Sequence, residues 1–176
     1  MKMPIDLTSS GFNLVLGGQR SGKSEFAESV IESFGGGIYI ATSEALDAEM
    51  SDRITKHRER RGQDWQTIEE PLLLCETLQS LQSNNKPVLV DCLTLWISNM
   101  MANNKDIKAE TSQLCSLAKK INFPVIFVSN EVGLAVVPNN AMARHFIDYT
   151  GKMNQSIANV SNSVVFTIAG LTQKIK

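Results

Sequence analysis

Cysteine is scarce in this 176-residue chain: Cys75, Cys92 and Cys115 form neither a C-x-x-C pair nor a metal-ligand spacing. An odd, unpatterned count excludes a disulfide framework and fits a reducing compartment, with the thiols serving as small apolar side chains of the interior. Net charge is nearly absent as well, at −1. That argues against a protein that coats nucleic acid or an anionic membrane, although a local basic cluster is still allowed. No apolar run approaches the roughly 18 residues that cross a bilayer, and Met1 to Ser10 has no apolar centre of the signal-peptide kind. A cytoplasmic protein with no membrane span and no nucleic-acid partner is expected. There is no internal repeat, low-complexity tract or linker. A 43% hydrophobic share with 11 Gly and 5 Pro excludes disordered, collagen-like and coiled-coil chains.

What is present is alternation. Short apolar runs at Phe12–Leu16, Gly37–Ile40, Lys86–Asp91, Phe123–Ser129 and Ser163–Ala169 read as strands. They are continuous rather than alternating, which suggests a sheet covered on both faces. Helices are expected at Lys23–Phe34, Asp47–Arg61, Pro71–Leu81, Leu93–Met101, Ile107–Ile121 and Asn140–Asn159. Pro71 would take the first helical position, and the last helix could break near Thr150-Gly151. Strands alternating with helices imply βαβ units: an α/β fold with a mostly parallel central sheet, in a single domain. The tail from Leu171 could add an edge strand. Residues 1–11 read as an N-terminal extension and 12–176 as the domain.

The sharpest motif is Gly17-Gly18-Gln19-Arg20-Ser21-Gly22-Lys23-Ser24, a G-x-x-x-x-G-K-[ST] loop between a strand and a helix. Glycines let the backbone wrap a phosphate with N–H groups inward, and the helix start adds partial positive charge. Lys23 would reach the β- and γ-phosphates and Ser24 would ligate Mg²⁺. A nucleotide-bound Mg²⁺ also calls for an acid at another strand end, and Asp91 is placed for it. Asp91 could equally cap the helix from Leu93. The base-reading Asn-Lys-x-Asp of a regulatory GTPase and the Ser-Gly-Gly of transporter ATPases are both absent.

A second cluster lies in residues 49–61. Met50, Ile54, His57 and Arg61 share one helical face, and Arg53, Lys56, Arg58, Arg60 and Arg61 concentrate positive charge in a chain that is not basic. Such a cluster suits one polyanion, most simply a triphosphate. The flanking cations disfavour a further positive charge, leaving a neutral imidazole able to attack phosphorus. On spacing alone, a solvated basic face with His57 at its edge outweighs that covalent role. His145, beside Arg144, reads as structural.

Together these residues resemble a known family, the bifunctional adenosylcobinamide kinase / adenosylcobinamide-phosphate guanylyltransferases of cobalamin biosynthesis. The resemblance runs from about Phe12 to the C-terminus. Beyond the loop it is carried by Tyr39-Ile40-Ala41-Thr42-Ser43, Asp47-x-Glu49-Met50-x-x-Arg53-Ile54-x-x-His57-Arg58, Trp65-x-Thr67-x-Glu69 and Val90-Asp91-Cys92-Leu93-Thr94-Leu95-Trp96. It closes with Ser129-Asn130-Glu131-Val132-Gly133, Val137-Pro138, Arg144-x-Phe146-x-Asp148-x-x-Gly151-x-x-Asn154-Gln155 and Ala169-Gly170-Leu171. Gln19 stands where the family often has Ala.

The resemblance implies a P-loop fold and two activities. One phosphorylates adenosylcobinamide with a nucleoside triphosphate, ATP or GTP. The other moves GMP from GTP, through a covalent histidine, onto the corrinoid phosphate. It reverses the odds on His57, which becomes the guanylyl carrier. Nucleotide contacts are implied at Gly17 to Ser24, at Ala41, Thr42 and Ser43, at Arg58, Glu59, Arg60 and Arg61, and at Glu69 and Asp91. A homo-oligomer, as a trimer, is also implied. One GTP pose does not obviously serve both reactions, so either two poses or a moving His57 segment is expected, with a hinge across Thr42 to Leu46. The competing readings are a small-molecule P-loop kinase without guanylyl transfer, and a nucleotide-dependent switch.

Overall fold

The computed structural model describes residues 4–44 and 62–176. Among them the order is β1 (Gly11–Gly17), α1 (Lys23–Glu32), β2 (Ile38–Ala41), β3 (Gln66–Glu69), α2 (Leu74–Ser80), β4 (Val88–Asp91), α3 (Leu93–Ala102), α4 (Ile107–Leu117), β5 (Pro124–Asn130), α5 (Ala141–Val160), β6 (Ser163–Ile168) and β7 (Leu171–Lys174). The expected helix at Asp47–Arg61 lies outside the described residues.

All seven strands form one sheet, ordered β3-β2-β4-β5-β1-β6-β7. Every pairing is parallel except β6 with β7. The apolar runs are continuous because both faces are covered. Phe12, Leu14, Val90, Val125 and Phe127 point to the face holding α2, α3, α4 and α5. Val15, Leu89, Ile126, Val128 and Val165 point to the face packed by α1. Ile5 and Leu7 are buried in that second layer, so the segment before β1 contributes to the core. Asn13, buried within β1, is satisfied by Ser163 Oγ, which donates to its Oδ1 at 2.7 Å, and by Val125 O, which accepts from its Nδ2.

Several boundaries differ from the sequence expectation. Pro71 does not start α2. The Glu70 carboxylate accepts from the N–H groups of Leu72 and Leu73, and that turn delays the helix to Leu74. Expected to reach Ile121, α4 stops at Leu117. Gly151 does not break α5, whose buried Thr150, Met153, Asn154 and Ile157 keep helical spacing across it. The tail does form an edge strand. Ala169 and Gly170 both have positive φ, 50° and 77°, as a two-residue hairpin turn requires.

Candidate functional site

Parallel strands deliver their carboxyl ends to one edge, where ligands of open α/β sheets bind. Register makes this concrete. Gly17 stands opposite Asn130, and Ala41 stands level with both Glu69 and Asp91. A cavity of about 540 Å³ opens there, within the range of small-ligand sites. Its lining includes Gln19, Arg20, Ser21, Gly22, Lys23, Ser24, Ala41, Ser43, Glu69 and Asp91. The sequence-selected loop and strand ends thus meet on one surface.

The loop is built to hold an anion. Arg20 (φ 57°) and Gly22 (φ 95°) take left-handed backbone, which turns successive N–H groups toward one side. At Gly17 a Cβ would run into Thr167 O and Ser21 Oγ, so only glycine fits. Two helices on the opposite face have their first turns satisfied by side chains: Asp106 accepts from Ala109 N–H, and Asn140 from Ala143 N–H. Helix α1 has no side-chain cap among the described residues; its N-cap is Gly22, and its start opens on the cavity. Ser21 Oγ is buried without a hydrogen-bond partner among the described residues, a further polar atom suited to phosphate.

Lys23 is buried and donates from Nζ to Gly18 O at 2.6 Å. An ammonium has three protons, so two remain for phosphate oxygens. Burial lowers its pKa below the ordinary value, and the nearby Cys92, Asp91 and Glu25 oppose that shift. The loop is braced from outside as well. Gly170 N–H, at the β6–β7 turn, donates to Ser21 O at 2.9 Å, and Glu131 N–H donates to Gly17 O at 3.0 Å.

Asp91 does not cap α3. The N-cap position belongs to Cys92 and makes no side-chain cap bond. The Asp91 carboxylate instead faces the cavity and accepts from Tyr39 Oη at 3.1 Å. With Ser24 it offers hard oxygen donors, which suit Mg²⁺. No group of three or more His, Cys, Asp or Glu side chains that could hold a metal occurs among the described residues. An ion here would therefore draw its other ligands from phosphate and water.

Thr42 departs from its expected role. It is fully buried and absent from the cavity wall. Its hydroxyl donates to Cys92 O at 2.7 Å and accepts from Cys92 N–H at 2.8 Å. Thr42 N–H donates to Asp91 O, and Asn99 Nδ2 donates to Thr42 O at 2.7 Å. Thr42 therefore ties the end of β2 to the end of β4; Ser43 is the first residue past these bonds, and Leu46 lies outside the described residues. His57, Arg58, Glu59, Arg60 and Arg61 also lie outside them. His145 is exposed, its ring 6.4 Å from Tyr149. Cys75 and Cys92 are buried with thiols pushed up to about 12 by burial, so neither is a nucleophile.

Sequence reasoning did not single out as contacts six further residues of the cavity wall: Tyr39, Thr67, Thr94, Leu95, Asn130 and Phe146. Each sits in a motif block quoted above, but facing the cavity depends on strand order, which the local pattern does not carry.

Fold and site together define a P-loop nucleotide-binding protein. RadB recombinase shares the fold with a TM-score of 0.55 at 17% identity, covering 91% of this chain and 75% of that one. The P4 protein of bacteriophage phi6, solved with ADP, gives 0.53 at 13% identity over 93% and 53%. A family model for cobinamide kinase / cobinamide phosphate guanyltransferase matches residues 13–175. The chain belongs to that family. It is 42% identical to the bifunctional adenosylcobalamin biosynthesis protein CobP of Pseudomonas aeruginosa, covering 93% of this chain and 96% of the relative. Against CobU of Escherichia coli the figures are 37%, 93% and 98%.

Proposed function

We propose that this protein phosphorylates adenosylcobinamide with ATP or GTP, then transfers GMP from GTP through a covalent histidine to the corrinoid phosphate, giving adenosylcobinamide-GDP and pyrophosphate. The observation that carries the reading is the uncapped start of α1, which shares one cavity with Lys23 and Asp91 in a chain of this family. In the kinase step the corrinoid hydroxyl attacks the γ-phosphorus and the nucleoside diphosphate leaves. In the second step His57 attacks the α-phosphorus and pyrophosphate leaves with the electron pair. The corrinoid phosphate oxygen then displaces histidine from the nucleotide. Lys23 and the loop N–H groups hold the phosphate oxygens throughout, and Arg58 to Arg61 are assigned to the leaving group. Mg²⁺, placed by Ser24 and Asp91, supplies charge neutralisation when bound.

The cavity matches one nucleotide, and a corrinoid is much larger, so the corrinoid docks over its mouth. Leu134, Val136 and Val137, between β5 and α5, and Met142, in the first turn of α5, are 71–92% exposed. That apolar surface supports self-association, with a trimer as the expected assembly.

The test uses purified protein, Mg²⁺ and GTP labelled at the α-phosphorus. Label should stay on the denatured protein as an acid-labile, base-stable adduct that His57→Ala abolishes. Intact γ-phosphate transfer without such label would reduce the protein to a small-molecule kinase. Tight nucleotide binding with neither transfer would make it a switch.

A further inference from the structure

One polar side chain at the carboxyl edge has no part in the roles assigned above. Strand β5 lies between β4, which ends in Asp91, and β1, which runs into the phosphate loop. It ends in Asn130, which lines the same cavity as Lys23 and Asp91. The Asn130 backbone is held on both sides. Its N–H donates to Thr94 Oγ1 at 2.7 Å, and its C=O accepts from Asn154 Nδ2 at 3.2 Å. Ser129 Oγ closes the ring, donating to Asn154 Oδ1 at 2.7 Å and lying 3.3 Å from Thr94 Oγ1. Because the Ser129 proton is committed to Asn154, the Thr94 hydroxyl donates to Ser129, and every bond in the ring has a fixed direction. Thr94, Ser129 and Asn154 are all buried. A satisfied buried network of this kind rigidifies what it holds. The Asn130 carboxamide itself has no hydrogen bond among the described residues.

Three buried side chains therefore fix one strand end and leave at the cavity an amide with no partner among the described residues, on the strand between those that carry Lys23's loop and Asp91. We propose that Asn130 reads the terminal phosphate of a bound nucleoside triphosphate, its Nδ2 donating to a γ-phosphate oxygen. It thereby distinguishes triphosphate from diphosphate donors and products. The inference rests on the nucleotide reading of the cavity.

A role at the γ-phosphate alone predicts a selective loss. Equilibrium binding of a non-hydrolysable GTP analogue and of GDP, each with Mg²⁺, would be measured for wild type, Asn130→Ala and Asn130→Asp. The aspartate variant keeps the shape of the strand end if alanine disturbs folding. A hydrogen bond to a charged group is worth about tenfold or more in binding. Asn130→Ala should weaken the GTP analogue about tenfold and GDP less than twofold. Asn130→Asp, which removes the donor and adds a negative charge, should weaken the analogue further. Equal losses for both nucleotides would make Asn130 a structural support and overturn the proposal, as would unchanged binding of both. Wild-type protein that binds neither nucleotide would overturn the nucleotide reading as well, a result distinct from the first two.

Discussion

Replacing Thr42 with valine tests whether this residue is a lock or a ligand contact. The two side chains are close in shape, so the change removes the hydroxyl with little change in packing. Two hydrogen bonds go, to Cys92 O and from Cys92 N–H. Their consequences differ. Cys92 O also accepts from Trp96 N–H, the first bond of α3, so it keeps a partner. The Cys92 N–H loses the acceptor it has, in a residue 8% exposed. An orphaned buried donor costs about 1–3 kcal/mol and a lost second bond about 0.5–1.5 kcal/mol. The expected destabilisation is about 2–4 kcal/mol. With a urea dependence of about 2 kcal/mol per molar, the midpoint should fall by about 1–2 M. Thr42→Ser keeps both bonds and loses one buried methyl, so it should cost no more than about 1 kcal/mol. Nucleotide affinity of Thr42→Val, measured well below its unfolding midpoint, should stay within about twofold of wild type. A stable Thr42→Val protein that has lost nucleotide binding would refute the lock and restore Thr42 as a contact.

Lys23→Met should abolish nucleotide binding without destabilising the fold, because the ammonium is buried; titration calorimetry and urea melts check the two halves. Burial holds the folded-state Lys23 below its ordinary value of 10.5. Between that lowered value and 10.5 the unfolded chain therefore binds more protons, so stability should rise with pH in that window for wild type relative to Lys23→Met. The alkaline limb of kcat/KM should likewise begin below the usual lysine range. Asp91→Asn should weaken the apparent Mg²⁺ affinity of the nucleotide complex about tenfold, yet leave metal-free nucleotide binding unchanged or stronger, since one negative charge leaves the cavity. Gly170→Val forces a β-branched residue to φ 77° and disturbs the turn whose N–H holds Ser21 O. It should cost about 1–3 kcal/mol in a thermal melt and lower nucleotide affinity several-fold, whereas Gly170→Asn, which tolerates that backbone, should retain most of both.

What could be seen in the sequence divides along a physical line. The phosphate loop is local: its glycines, lysine and serine lie within eight residues, and the strand before it and helix after it are adjacent in the chain. Strands β4 and β5 are equally plain because burial on both faces makes their interiors continuous apolar runs, and in β1 only Asn13 interrupts the run. Strand β3 lacks that property. It is a half-exposed edge with Ile68 as its one large apolar residue, and it joins the sheet through pairing with β2 rather than through its own pattern. The Asn130 amide and the Tyr39–Asp91 bond were hidden for a related reason. Asn130 lies 113 positions from Gly17, and the sheet order decides that they become neighbours. Thr42 misled in the opposite way: it sits between two cavity-lining residues, but strand alternation turns its side chain into the core.

The lock at Thr42 also constrains how one loop serves two reactions. Phosphorylation breaks the bond to the γ-phosphorus and guanylylation the bond to the α-phosphorus, so the reacting atom sits at two different places along one donor. The loop cannot readily adapt to both. Gly18 O is held by Lys23, Ser21 O by the β6–β7 turn, and Gly17 O by the end of β5. Asp91 is tied through Tyr39, and the peptide that follows it through Thr42. A rigid cradle of this kind favours one placement of the β- and γ-phosphates for both reactions, because the same N–H groups suit the same oxygens. In the proposed scheme the difference then comes from what approaches: the corrinoid hydroxyl at the γ end, or the His57 imidazole at the α end. In the proposed scheme, a movement that carries His57 in would start no earlier than Ser43 and would leave the strand end and Asp91 in place.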